Sequence, residues 1–91
     1  MEFQSHKIDE FLTNFHANKE KIRAFEGCHF LELYQSKTAP ETFFTYSYWE
    51  SEDALETYRN SSLFKGVWKT TKALFAAKAQ AWSVDRLESL P

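Results

Sequence analysis

At 91 residues the chain has room for one domain, 1–91, and a chain of this size buries only about 60–65% of its unfolded surface without a partner. Eleven Lys and Arg against thirteen Asp and Glu give a net charge of -2, and no basic stripe is present to neutralise phosphates, which argues against nucleic-acid binding. No apolar run approaches the roughly 20 residues that a bilayer demands, no secretory pattern opens the chain, and one cysteine, Cys28, excludes an intrachain disulfide or a multi-cysteine zinc site; these absences predict a cytoplasmic protein with no membrane contact.

Only Met1 to Gln4 precede the first helical pattern, so the first strand is expected to be short or missing. From His6 the pattern is helical: Ile8, Phe11, Leu12, Phe15, Ile22 and Phe25 share one face, and Lys7, Asp9, Glu10, Asn14, Asn18 and Lys21 the other. Ser5 is a candidate N-cap and Gly27 a candidate stop. Cys28 to Gln35 alternates, Phe30 and Tyr34 facing one way and Leu31 and Leu33 the other. A polar turn ending in Pro40 leads to Thr42 to Trp49, β-branched and aromatic throughout, with Phe44, Tyr46 and Tyr48 opposite Phe43, Thr45, Ser47 and Trp49. The two strands are expected to form a hairpin. Ser51 caps a short helix carrying Glu52 and Asp53 in its first turn, where the helix dipole favours acids; Ala54, Leu55 and Tyr58 are its apolar side. After the break at Asn60 to Ser62, a second helical piece is predicted from about Leu63 to Ala77, with Phe64, Val67, Trp68, Thr71, Leu74 and Phe75 inward. Alternation over Ala81 to Leu87, around Trp82 and Val84, reads as the last strand.

The order (β)-α-β-β-α-β is that of the α+β, ferredoxin-like split βαβ fold with an antiparallel sheet. Nine Phe, four Tyr and three Trp make 18% of the chain, more large rings than one small core hides, so some are expected to line a pocket or a subunit interface. The strand Thr42 to Trp49 is aromatic on both faces, whereas two helices cover only one. A second copy is the expected cover for the other, and the chain is predicted to form a homodimer.

The sequence resembles the antibiotic biosynthesis monooxygenase family. Phe25-Glu26-Gly27-Cys28 looks like that family's Phe-x-Gly-Cys junction. Tyr48-Trp49-Glu50-Ser51-Glu52-Asp53-Ala54-Leu55 is similar to its Trp-Glu-Ser-x-x-Ala-Leu signature, and Ser62-Leu63-Phe64-Lys65 with Trp68 to the lead into its second long helix. The resemblance runs from Ile8 to Leu87. It implies a dimeric α/β barrel of two sheets packed face to face, and oxygenation without a cofactor, in which the carbanion of a small aromatic or quinol-like substrate itself reduces oxygen. Haem degradation is disfavoured: Trp49 matches a Trp of the haem-degrading branch, but Trp68 stands where its ligating His would be, and the strand that carries an Asn there is mostly absent.

Because the implied site lies between helices and sheet, Trp49, Phe64 and Trp68 are candidate pocket residues, with core packing as the plain alternative. Tyr46 and Tyr48 offer hydroxyls for a phenol or quinone oxygen, or are half-buried strand packing. His29 is the one His inside a predicted strand and a candidate general base, or a surface residue. His6, His16 and His29 lack metal-ligand spacing, so no metal site is expected. Two functions follow: a cofactor-independent monooxygenase for a small aromatic, or a non-catalytic dimeric domain that binds a small ligand or serves structure alone. A pocket with a polar group near its floor would favour the first, and one filled by the Trp rings the second.

Overall fold

The computed structural model describes residues 1–91. Its elements are β1 (Glu2–Phe3), a single 3-10 turn (Ser5–Lys7), α1 (Ile8–Arg23), β2 (Cys28–Gln35), β3 (Phe43–Trp49), α2 (Glu52–Arg59), α3 (Ser62–Lys72) and β4 (Phe75–Ala77). This is the ferredoxin-like order, with the first strand a two-residue stub and the second helical part split into α2 and α3. No helix is long and apolar enough to cross a membrane.

β2 and β3 form the expected antiparallel hairpin, with Phe30 opposite Tyr48, Glu32 opposite Tyr46 and Tyr34 opposite Phe44. β1 pairs antiparallel with β4 and meets the start of β3 through a bridge between Glu2 and Thr42. The Phe3 N–H donates to the Glu41 carbonyl (2.9 Å), and the Phe43 N–H to that of Met1 (2.8 Å). The strands therefore run β2-β3-β1-β4 across the molecule. The core sits between this sheet and the helices and consists of Phe3, Phe11, Phe43 and Leu74, with Ile8, Leu12, Phe15 and Leu33 packed around it. Stacking of Phe3 on Phe11 (centroids 4.1 Å apart, planes at 23°) ties β1 to α1.

Three sequence expectations need correction. Ser5 caps nothing; it lies in the 3-10 turn, and α1 starts after Lys7 without a side-chain cap. α3 stops at Lys72, not Ala77, because Leu74 turns into the core and Phe75 pairs with Phe3. The last strand is Phe75–Ala77, whereas Ala81 to Leu87 has no regular structure and leaves Trp82, Val84 and Leu87 exposed. A strand needs an edge to pair with, and a two-residue β1 offers β4 room for no more. Sequence alternation at residues 81–87 cannot supply the missing partner.

Two local devices set the helix–sheet spacing. Ser51 caps α2 as expected, its Oγ accepting from the Ala54 N–H (3.1 Å), and Ser61 caps α3 through the Phe64 N–H (3.1 Å). Gly27 closes the turn after α1 at φ 88°, and a Cβ there would stand 2.6 Å from the Ala54 Cβ. Its bare backbone lets β2 start directly beneath α2, and its carbonyl accepts from the Glu50 N–H (2.7 Å). Gly27→Ala is expected to destabilise the fold by about 1–2 kcal/mol from the left-handed backbone alone, with the clash on Ala54 added. A lowered urea midpoint at unchanged slope is the readout.

Candidate functional site

The sheet divides the aromatic side chains into two groups. On the helix side they form a continuous series. Trp49, at the end of β3, stacks on Tyr58 from α2 (4.8 Å, 25°), and Phe25 sits edge-on to both. Tyr58 meets Phe64 of α3 edge-on (5.2 Å). Phe64 lies parallel to Trp68 one turn later (5.9 Å, 9°), and Trp68 meets Phe75 of β4 at 72° (5.5 Å). Trp49, Phe64 and Trp68 are thus brought to one side of the sheet. Tyr58 and Phe64 fill the space between the two Trp rings.

Tyr58 is the residue that sequence reasoning placed only in the apolar face of α2. It is buried, and burial, followed by a smaller electrostatic contribution from Cys28, pushes its hydroxyl up to about 12. The group stays protonated at neutral pH, able to donate a hydrogen bond and unable to act as a base. Cys28 is also buried. An irregularity between Cys28 and Phe30 leaves Cys28 opposite Trp49 and Phe30 opposite Tyr48, so Cys28 faces the helices while Phe30 faces away.

Beyond Trp68 the series opens. A cavity of about 230 Å³ lies where α3 ends and β4 begins, lined by Trp68, Lys72, Phe75, Lys78 and Ala79. A broader trough of about 520 Å³ along α1 is wide open and carries no ring; Asp9, Glu10, Thr13 and Asn14 are among its walls.

The opposite face of the sheet carries Phe30, Glu32, Tyr34, Phe44, Tyr46 and Tyr48. Tyr34 stacks on Phe44 (5.0 Å, 20°) and Tyr48 packs on Phe30 (5.2 Å). The Tyr46 hydroxyl donates to that of Tyr48 (3.2 Å); this bond, ahead of partial desolvation, holds Tyr46 above the ordinary phenol range. Tyr34 donates to the Glu32 carboxylate, which raises it likewise. The Arg86 guanidinium stands 5.3 Å from the centre of the Tyr48 ring. Tyr46 and Tyr48 are therefore separated from Trp49, Phe64 and Trp68 by the thickness of the sheet, and His29 is exposed at the start of β2.

The raised Tyr58 value fixes the sign of one pH effect. Its contribution is complete below pH 10 and is lost as pH rises towards about 12, because the unfolded chain ionises first. Tyr58→Phe is expected to flatten the alkaline fall in stability, read from urea unfolding at a series of pH values above 9. An equal fall in the variant and the parent contradicts the burial of the hydroxyl.

Residues 1–70 match the sequence profile of the family described as antibiotic biosynthesis monooxygenase. Among solved structures the chain is similar to a conserved protein from Methanosarcina mazei Go1, at 22% identity and TM-score 0.80, covering 85% of this chain and 76% of that one. It is similar to Rv0793 from Mycobacterium tuberculosis at 18% identity and TM-score 0.80, covering 96% and 91%. A third, from Caulobacter crescentus CB15, whose assignment as an antibiotic biosynthesis monooxygenase is provisional, aligns at 24% identity and TM-score 0.80 over 86% and 74%. At these identities the structures speak for the fold alone. No curated protein matches by sequence. With most of its length matching the family profile, on the fold described above, the chain belongs to the antibiotic biosynthesis monooxygenase family.

Proposed function

We propose that the protein is a cofactor-independent monooxygenase for a small aromatic or quinol-like compound, working as a homodimer. Family membership supports the reaction class. The observation that carries the placement is the aromatic series ending in an open cavity at Trp68 and Phe75. In such a reaction the substrate loses a proton and the resulting carbanion reduces dioxygen. A CH2 carbon becomes C=O, one oxygen atom entering the product and the other leaving as water. The protein has to bind the ring, favour the anion and exclude bulk water. Trp68 is the proposed ring-binding residue, with Phe64 and Trp49 behind it holding its orientation through Tyr58.

His29 and Tyr46 are weaker candidates for proton transfer, since neither lines this cavity and Tyr46 is held in its protonated form. Tyr48 belongs with Tyr46, on the face we assign to the second copy. There, Phe44 is 56% and Tyr34 39% exposed, an apolar surface of the kind that marks an interface.

A specific observation also favours the non-catalytic reading. The space between Trp49 and Trp68 is occupied by Tyr58 and Phe64, and no carboxylate or imidazole lines the cavity. Both readings use the same cavity and separate on turnover.

Oxygen uptake over a panel of anthrones, naphthols and hydroquinones, without added flavin, metal or haem, tests the first reading. Saturable uptake is expected, falling by roughly tenfold or more in Trp68→Ala and little changed in His29→Ala and Tyr46→Phe. Uptake no greater than the protein-free blank moves the assignment to ligand binding. For the dimer, sedimentation at micromolar concentration is expected to show two copies, with Phe44→Glu weakening association by at least about tenfold. A stable wild-type monomer removes the dimer and the barrel with it.

A further inference from the structure

We infer that the cavity lined by Trp68 and Phe75 takes an aromatic oxyanion: a ring or fused ring pair bearing a carboxylate, phenolate or enolate oxygen. Trp68 and Phe75 hold the ring, and Lys72 and Lys78 the charge. The inference rests on the reading of this cavity as the ligand site and adds the charge of what enters it.

Size and shape come first. A cavity of about 150 Å³ is enough for benzene, so about 230 Å³ has room for a ring with a substituent or a second ring fused to it. The two rings of the wall stand at 72° to one another, so a flat ligand lying on either one meets the other edge to face, a favoured aromatic arrangement.

The charge is carried by three independent observations. Lys72 and Lys78 are two of the five lining residues, and the single ion pair of the chain, Lys7 with Glu10, involves neither. Both ammonium groups therefore lack a carboxylate partner. Lys72 is the last residue of α3, where the negative end of the helix dipole favours a cation. Finally, the stretch between Glu56 and Asp85 contains Arg59, Lys65, Lys69, Lys72 and Lys78 and no Asp or Glu, although the chain as a whole is net -2. The stretch of chain that supplies the walls of this opening is thus net positive, and an apolar wall beside two cations weakens the screening that an anion would meet in water.

An oxyanion site also fits the proposed reaction. Cations placed at the oxygen of a nascent enolate lower the cost of removing the neighbouring proton, so the cavity can favour deprotonation without a lining base.

Calorimetric titration of the whole chain with three probes tests this: 2-naphthoate for the carboxylate, 4-nitrophenolate at mildly alkaline pH for the phenolate, and 2-naphthalenemethanol as the neutral counterpart. At least one anion is expected to bind roughly tenfold more tightly than the alcohol, the preference shrinking with added salt. Lys72→Gln/Lys78→Gln, both exposed and outside the core, is expected to abolish the preference while leaving the melting temperature and the affinity for the alcohol unchanged. Trp68→Leu is expected to weaken all three probes. Equal affinity for anions and alcohol, a preference that survives the double variant, or no binding by any probe overturns the inference. Oxygen uptake on neutral substrates without anion preference would overturn the inference and leave the monooxygenase reading standing. Lysine-dependent binding of an anion without uptake on any panel member would support the inference and remove the monooxygenase reading.

Discussion

The two halves of the sheet are joined through Met1 to Phe3, and the ring of Phe3, at 1% exposure, is the most deeply buried of the core. Phe3 touches Phe11 of α1, Phe43 of β3 and Phe75 of β4. Its backbone donates to Glu41 on one side, while the next residue, Gln4, donates to Leu74 on the other (3.1 Å). A strand of two residues thus does the joining that a full strand does in a larger sheet, and it relies on ring contacts as much as on ladder hydrogen bonds. The length of β4 follows from it, and so does the position of Phe75. Phe75 in turn meets Trp68 edge to face, and both rings line the cavity. The proposed site is consequently tied to the core through Phe75 as well as through α3, and loosening Phe3 would disturb the cavity as well as the sheet.

Alternation along β2 and β3 then sorts the remaining rings. Residues of period two point to opposite faces, so Phe43 and Leu33 join the core while Phe44, Tyr34, Tyr46 and Tyr48 face away from the helices. The two faces differ in kind. The helix side is apolar, with Tyr58 the one phenol in its aromatic series and its hydroxyl held protonated. The outer face is half-exposed and carries polar groups, its phenols bonded to each other or to Glu32 and one ring covered by Arg86. Two aromatic surfaces so different in polarity suit two occupants: a small ring on the helix side, and a second copy of the chain on the outer face, as proposed.

Much of this was legible in the residues. The hydrophobic period of α1, the two-faced hairpin, the Ser51 cap and the stub of a first strand all follow local rules, and the structure has them where the sequence puts them. What local rules could not supply depended on partners. Ala81 to Leu87 alternates and forms no strand, whereas Phe75-Ala76-Ala77 has little strand character and forms one because β1 lies beside it. Tyr58, spaced three residues from Leu55, reads as ordinary core; its place between Trp49 and Phe64 arises only when α2 closes over β3. The cavity was hidden for the same reason, since its walls come from the end of α3, from β4 and from the segment after it. One signal was present in the sequence: the run without acids from Thr57 to Val84, which marks a basic region before any contact is known.

The central claim is that the two aromatic faces have different occupants, and tyrosine nitration mapped residue by residue over a protein dilution series tests it most directly. The account predicts that Tyr34, Tyr46 and Tyr48 become protected together as concentration rises, that Tyr58 is protected throughout, and that added 2-naphthoate changes none of the three outer tyrosines. Concentration-independent nitration of Tyr34, Tyr46 and Tyr48, or their protection by the small ligand in place of the second copy, would contradict it.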